Sequence, residues 1–208
     1  MAKIIVSLFF FMEETMKRLT VFIALIAAFV LSSCGYNTMQ RQEEEVFKAW
    51  GDLEGALQRR ADLIPNLVST VKGYAAHEAG TLEKIVAMRS QVGQTKIDAK
   101  DLGSADAMAK FQKAQGELSA GLGRLLVIAE QYPDLKANEN FRDLQSQLEG
   151  TENRITVARN RYNEAVSTFN GSIRGFPNNL INSWLLQLEK KEYFKADEKA
   201  KEVPKVQF

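Results

Sequence analysis

The amino-acid sequence predicts an all-α fold, an elongated up-and-down bundle of about four helices followed by a short C-terminal helix and a tail. The first observation is that large apolar residues recur every seven positions in three stretches of the chain, the period of helices packed side by side. The second is that residues typical of helix starts and helix ends border those stretches. At 208 residues, the chain has the length of one such domain.

The first helix is predicted from two apolar rows that begin at Trp50 and Leu53 and repeat every seven residues as far as Met88. Pro65 lies between these rows and does not shift their register. Proline removes a helical hydrogen bond and commonly kinks a helix. We therefore expect one long helix kinked at Pro65, or two nearly collinear helices.

A second helix is predicted after a polar loop at residues 92–103. Its apolar rows begin at Met108 and Phe111. Ser104 is expected to cap its first turn, and Pro133 follows its end.

The third helix has the most regular pattern, a row of large residues spaced by seven that faces a row of mostly small ones. The large residues are Phe141, Leu148, Ile155, Tyr162 and Phe169. Asn138 is expected to cap this helix, and Gly171 and Gly175-Phe176-Pro177 to end it. The apolar stretch Leu180–Leu188 predicts the short C-terminal helix. The charged tail after it offers docking points that include Tyr193 and Phe194.

Residues 1–33 are predicted to be an export signal, and the helical domain is expected to occupy residues 34–208. Met16-Lys17-Arg18 supplies a positive start, Leu19–Leu31 supplies an apolar core, and small residues precede Cys34. We expect translation to begin at Met16. The alternative is an uncleaved signal anchor that the apolar stretch Ile4–Phe11 helps to lengthen.

Leu31-Ser32-Ser33-Cys34 resembles the lipobox of bacterial lipoprotein signal peptides. The resemblance implies that Cys34 is the lipid attachment site and the first residue of the mature chain. Two acyl chains anchor a protein stably, whereas one gives only marginal binding. Gly35 after the cysteine resembles lipoproteins sorted to the outer membrane, so we expect that location in an envelope of two membranes.

Composition excludes several classes of protein. The 27 basic and 26 acidic residues leave a net charge of +1, so the broad basic surface of a nucleic-acid-binding protein is not expected. One cysteine cannot form an internal disulfide, and one histidine excludes the common multi-histidine metal sites. We expect neither a metal nor a cofactor.

Arg60 and Glu78 are charged residues that fall on rows predicted to be buried. Buried charges are costly unless they are paired, so both side chains need partners. The predicted buried polar network consists of Arg60, Glu78, Arg89, Glu152, Arg154 and Arg159. Such a network fixes the register of the helices, which is our main expectation, or it forms a polar ligand site inside the bundle.

No catalytic residue is predicted. His77, the single histidine, precedes Glu78, but adjacent residues on a helix do not face each other. The chain lacks the two-histidine motif of zinc proteases and the nucleophile elbow of serine hydrolases. We therefore expect that the chain is not an enzyme.

Several segments resemble the LemA family. They include Arg59-Arg60-Ala61-Asp62-Leu63-Ile64-Pro65-Asn66-Leu67-Val68, Thr151-Glu152-Asn153-Arg154-Ile155 and Phe176-Pro177. The matches follow the family's order over essentially all of residues 35–208. The resemblance implies an extracytoplasmic helical bundle attached to the membrane by its N-terminus, with no particular activity or substrate. Many members look anchored by a transmembrane helix, from which the lipobox-like Cys34 departs.

Together these observations predict a membrane-anchored lipoprotein of the bacterial cell envelope. We expect a non-enzymatic scaffold or adaptor that contacts the membrane through its lipid and an envelope protein through its bundle. The alternative is a ligand-binding or sensory bundle that holds a small molecule in a polar core.

Overall fold

The computed structural model describes residues 2–195, with side chains for residues 15–22, 35–75 and 77–195. The regular elements within residues 2–195 are all helical, so the predicted all-α fold is confirmed. The chain divides into two compact units. The smaller unit takes residues up to Glu43 together with Gly171–Leu188, and the larger takes Glu44–Asn170 together with the described residues from Glu189 onward.

Helix α1 runs from Ala2 to Lys72 and passes through Pro65, which confirms the predicted long helix at this proline. A helical residue at position 65 would normally donate its N–H to the carbonyl of Ala61, and proline has no N–H to donate. The Nε of Arg89 donates to that carbonyl instead, at 2.9 Å. The side chain of a neighbouring helix therefore supplies the hydrogen bond that Pro65 cannot make.

The rows that continue to Met88 do not mark a single helix. Helix α1 ends at Lys72, a 3-10 turn covers Ala76–Glu78, and α2 occupies Ala79–Gln94. The expectation of one helical track through this region is therefore wrong. The helix ends directly before Gly73, and glycine is a poor helix former.

Helix α3 spans Ala105–Ala129, and the side chain of Ser104 accepts a hydrogen bond from the Ala107 N–H at 3.3 Å. The predicted cap is therefore confirmed. The segment predicted as a polar loop contains the end of α2 and a 3-10 turn at Ala99–Gly103. Pro133 begins the short helix α4, Pro133–Ala137, at a position where its missing N–H costs nothing.

Helix α5 spans Glu139–Arg174. The Phe141 N–H donates to the Asn138 side chain at 3.0 Å, which confirms the second predicted cap. The helix continues past Gly171 and ends directly before Gly175. All five residues of the predicted large row are buried.

The predicted short C-terminal helix is confirmed as α6, Asn178–Ile181, which leads into a π-helical turn at Asn182–Leu186. Gln187 ends this turn in the left-handed conformation, with φ of 52°. Its N–H donates to the Asn182 carbonyl at 2.7 Å. Both elements belong to the smaller unit.

The main core of the larger unit lies where the second part of α1 meets α2, α3, α4 and the first part of α5. Its buried residues are Leu63, Ile64, Leu67, Val71, Ala75, Leu82, Ile85, Val92, Ala114, Leu118, Leu122, Leu125, Ala129, Leu135, Phe141 and Leu148. Within the described part of the chain, no helix is long and apolar enough to span a membrane.

Candidate functional site

The most deeply buried charge that the structure describes is the guanidinium of Arg60 on α1, a residue only 2% exposed. Its Nη1 donates to the Ser119 hydroxyl at 2.6 Å and to the Glu152 carboxylate at 2.9 Å. Its Nη2 donates to the Gln115 side-chain oxygen at 2.6 Å. One arginine thus ties α1 to α3 and α5. Its Nε lacks a hydrogen-bond partner among the described residues.

Two residues of the predicted network, Arg60 and Glu152, bind each other, and none of the other four bonds to this pair within the described part of the chain. Glu78 lies half-buried in the 3-10 turn, and no side-chain hydrogen bond or ion pair joins it to another described residue. Arg89 bonds to the Ala61 carbonyl. Arg154 is exposed on α5, and Arg159 is half-buried near the Arg60–Glu152 pair.

A cavity of about 680 Å³ opens beside the Arg60–Glu152 pair, between α1, α2, α3 and α5. Basic side chains outnumber acidic ones among its described lining residues. The basic ones are Arg60, Lys113, Arg124, Arg159 and Lys195, and the acidic ones are Glu117 and Glu152. Since its charged groups are mainly cationic, the cavity suits a small anion better than a cation.

A second depression, which we call the arginine groove, lies on another face of α5 and has a volume of about 630 Å³. Three exposed arginines, Arg59, Arg154 and Arg161, line its described part together with the single carboxylate of Asp52. Its described lining also includes the small or apolar residues Gly55, Ala56, Val157 and Ala158. Arg59 Nη2 also reaches the side-chain oxygen of Gln147 at 3.3 Å.

The segment 189–194, which we call the C-terminal strap, is extended and lies in the larger unit. Two asparagines seven residues apart on α5 hold its backbone. The Asn170 side chain accepts from the Lys191 N–H and donates to the Lys191 carbonyl, both at 2.9 Å. Asn163 makes the same pair of bonds with Phe194, again at 2.9 Å.

Tyr162 adds a third contact to the strap, because its hydroxyl donates to the Glu192 carbonyl at 2.8 Å. Burial raises the pKa of the Tyr162 phenol well above its usual value, and the Glu192 carboxylate raises that pKa further. The phenol therefore remains a protonated donor across the physiological pH range. Trp50 packs on the Tyr162 ring at 5.3 Å between centroids.

The strap also completes the aromatic part of the core. The Phe194 ring lies 6.1 Å from the Phe111 ring in an edge-to-face arrangement, a favoured geometry for aromatic pairs. The Lys191 ammonium lies 5.2 Å from the Phe47 ring centroid and 5.7 Å from that of Phe169. Phe194, one of the docking points that the sequence offered, is buried against the core, whereas residues 196–208 lie outside the described residues.

The described side chains do not form an arrangement that could hold a metal ion, since no group of three or more His, Cys, Asp or Glu residues converges among them. His77 is exposed in the 3-10 turn. The Cys34 side chain, the predicted lipid attachment site, lies outside the described side chains.

Two features of these sites were absent from the sequence prediction. The first is that Gln115 and Ser119 bind Arg60. The sequence could have indicated Gln115 as a buried polar residue, since it is the one amide on an apolar row of α3. The strap clamp also had a signal, because Asn163 and Asn170 follow directly after Tyr162 and Phe169 of the large row and share its spacing of seven.

The fold and these contacts define a helical-bundle protein whose buried polar groups join helices to one another and to an extended C-terminal strap. The model of the LemA family matches residues 49–208. The chain belongs to the LemA family.

Similar proteins carry two kinds of name. Two proteins of Paramagnetospirillum magneticum named magnetosome protein MamQ 1 and MamQ 2 are each 27% identical over 208 residues, which covers 88% of this chain and 76% of the relative. A protein of Metamycoplasma hominis named protein LemA is 26% identical over 145 residues, which covers 70% of this chain and 62% of the relative.

Proposed function

We propose that this chain is an extracytoplasmic, membrane-anchored lipoprotein that acts as a non-enzymatic scaffold or adaptor in the bacterial cell envelope. The observation that carries the proposal is the distribution of charge. The buried guanidinium of Arg60 makes its hydrogen bonds within the bundle, whereas the exposed arginine groove is lined by more positive than negative charges. Such a bundle is suited to hold a partner rather than to transform a substrate.

The anchor part of the proposal is supported by the lipobox-like Leu31-Ser32-Ser33-Cys34. Mass spectrometry of the protein isolated from membranes tests it. We expect an N-terminal peptide that begins at Cys34 and carries diacylglycerol. An unmodified cysteine, or a retained signal, would overturn lipid anchoring.

The adaptor part is supported by the chemistry of the arginine groove. Guanidinium groups bind carboxylates in a planar, two-pronged geometry. Arg154 and Arg161 are exposed two helical turns apart on α5, with Val157 half-exposed between them. This combination suits an acidic helix or extended segment that also buries a few apolar groups.

Chemical cross-linking in intact cells, followed by isolation of the chain and mass spectrometry, tests the adaptor role. We expect one reproducible envelope protein whose cross-links map to the arginine groove, through a carboxylate-reactive cross-linker at Asp52. Cross-links confined to a second copy of the chain would contradict the adaptor role.

A second candidate function is a sensor for a small anion, favoured by the cationic cavity beside Arg60. An anion at a free concentration of about one hundred times its Kd would stabilise the folded chain by about 2.7 kcal/mol. A thermal-shift screen of small carboxylates and phosphates tests this, with Arg159→Gln as the variant that should lose the shift and Arg142→Gln as an exposed control on the same helix. If no compound gives a thermal shift that depends on Arg159, the sensor function is contradicted and the adaptor role remains.

A further inference from the structure

Residues 175–188 of the smaller unit expose several large apolar side chains. Phe176 and Trp184 are each 84% exposed, Leu185 is 71% exposed and Leu180 is 53% exposed. Soluble proteins rarely leave several large apolar side chains exposed together unless something covers them. We call this surface the apolar foot.

Side-chain hydrogen bonds hold the apolar foot in a defined conformation. The Asn182 side chain donates to the Leu188 carbonyl at 3.0 Å and accepts from the Leu188 N–H at 2.8 Å. The Asn178 side chain donates to the Ser172 hydroxyl at 3.2 Å. These bonds fix the turn that carries Trp184 and Leu185 at its outer side.

The foot packs against α1 at the residue that follows the predicted lipid site. A β-carbon at Gly35 would collide with the side-chain oxygen of Asn178 and lie 3.2 Å from Ile181 Cδ1. The side chains of Asn178 and Ile181 therefore lie directly against the α1 backbone at Gly35. The two exposed aromatic residues flank α6, since Phe176 precedes this helix and Trp184 lies in the π-helical turn that follows it.

Charge patterning distinguishes the foot from the rest of the molecule. A quarter of all residues are charged, yet residues 175–188 include no Asp, Glu, Lys or Arg. The comparable uncharged stretch is residues 19–40, which includes the predicted anchor. The smaller unit thus combines the two longest uncharged stretches of the chain.

We propose that the apolar foot inserts into the membrane interface beside the N-terminal anchor, with Trp184, Phe176 and Leu185 as the inserted side chains. This inference rests on the membrane attachment proposed above. Tryptophan favours the headgroup level of a bilayer, and an uncharged aromatic surface adds apolar binding to that of the anchor. The foot then fixes the orientation of the smaller unit on the membrane, which a flexible lipid tether alone does not.

Quenching by brominated lipids tests this insertion. The full chain, isolated from membranes, is reconstituted into vesicles of phosphatidylcholine and phosphatidylglycerol that contain brominated phosphatidylcholine. Trp184→Phe isolates the Trp184 signal, because the other tryptophan, Trp50, is only 4% exposed. Bromines near the headgroup should quench Trp184 more strongly than bromines at the chain ends, since interfacial groups lie about 5–10 Å into the boundary.

Photo-cross-linking in cells gives an independent readout. A benzophenone side chain replaces Leu185 in one variant, and replaces Val127 in a control, because Val127 is also exposed, at 66%, but lies on α3 in the larger unit. We expect lipid adducts at position 185 and none at position 127. A protein adduct at 185 would mean that the foot docks on a partner, which overturns the proposal.

The outcomes separate this inference from the proposed function. A chain that remains in the membrane fraction with Trp184 unquenched overturns the foot and leaves the anchor intact. A chain with an unmodified Cys34 and a quenched Trp184 overturns lipid anchoring and leaves the foot intact. A chain found only in the soluble fraction of cells overturns both.

Discussion

The Nε of Arg89 on α2 donates a hydrogen bond of 2.9 Å to the carbonyl of Ala61 on α1. That carbonyl lies four residues before Pro65, so within the helix it has no N–H to accept from. Arg89, which the sequence predicted as part of a charged network, thus donates the hydrogen bond that Pro65 cannot make. The bond joins α2 to α1 one turn before the proline.

Replacing Arg89 by Met should lower the free energy of unfolding by about 1–2 kcal/mol, because a buried carbonyl then loses its donor. The loss should be smaller in a Pro65→Ala background, where residue 65 regains its N–H and bonds Ala61 itself. Urea unfolding of the two single variants and the double variant measures this coupling. Equal losses from Arg89→Met in both backgrounds would contradict the compensation, and Arg142→Met, at an exposed arginine, should change stability by less than about 0.5 kcal/mol.

Replacing Arg60 by Met should cost about 2–3 kcal/mol of stability, because Gln115 is then left with an unsatisfied buried amide. Adding Gln115→Leu should recover part of that loss, since removing both partners is less costly than removing one. The neighbouring exposed variant Arg59→Met serves as control and should change the unfolding free energy by less than about 0.5 kcal/mol. A double variant no more stable than Arg60→Met alone would argue against a structural role for the network.

Replacing Asn163 or Asn170 by Ala should release the C-terminal strap while the helices stay folded. Each substitution removes two hydrogen bonds to strap backbone, worth about 1 kcal/mol apiece. Hydrogen exchange followed by mass spectrometry should show faster exchange of the Phe194 amide in Asn163→Ala and of the Lys191 amide in Asn170→Ala. Asn160→Ala, at an exposed position of the same helix, should leave both rates unchanged, and faster exchange throughout α5 would instead indicate global destabilisation.

Because of the Tyr162 phenol, the free energy of unfolding should depend on pH in the alkaline range. Its pKa is raised in the folded chain, first by burial and then by the Glu192 carboxylate. Above the ordinary tyrosine pKa of about 10, the unfolded chain releases this proton while the folded chain keeps it, so unfolding becomes easier as pH rises. Below that pH the contribution is complete.

Urea unfolding at a series of pH values on both sides of the ordinary tyrosine pKa compares the wild-type chain with Tyr162→Phe. At neutral pH the variant should be less stable by about 1 kcal/mol, because it loses the bond to the Glu192 carbonyl. The gap should narrow as pH rises, since only the wild-type chain loses the phenol contribution. A constant gap at all pH values would show that Tyr162 does not titrate differently on unfolding.

Local patterns predicted most of the fold because they arise from local physics. Ser104 and Asn138 cap helices in the structure, as predicted, since a cap needs only a side-chain oxygen near the first free N–H groups. The row from Phe141 to Phe169 is buried because spacing by seven places its members on one helix face. The same rule failed at residues 73–78, where the register continued by coincidence across a break at Gly73.

The polar contacts were less predictable, because they depend on which helices meet. The sequence predicted that Arg60 is buried and included Glu152 in its network. The partners Gln115 and Ser119 lie on α3, and residue spacing alone does not predict which face of α3 turns toward Arg60. Glu78 was placed on a core row only because α1 was expected to continue beyond Lys72. The strap clamp required knowledge that an extended segment returns along α5.

In-cell cross-linking of a charge-reversed groove tests the adaptor role most directly. The full chain with Arg154→Glu and Arg161→Glu is compared with the wild type and with Arg142→Glu, an exposed reversal on the same helix away from the groove. We predict that the wild type and the Arg142→Glu control capture the same envelope protein, and that the groove variant loses this cross-linked species while its folding and membrane attachment are unchanged. Equal capture by all three chains would contradict the claim that the arginine groove holds the partner of this bundle.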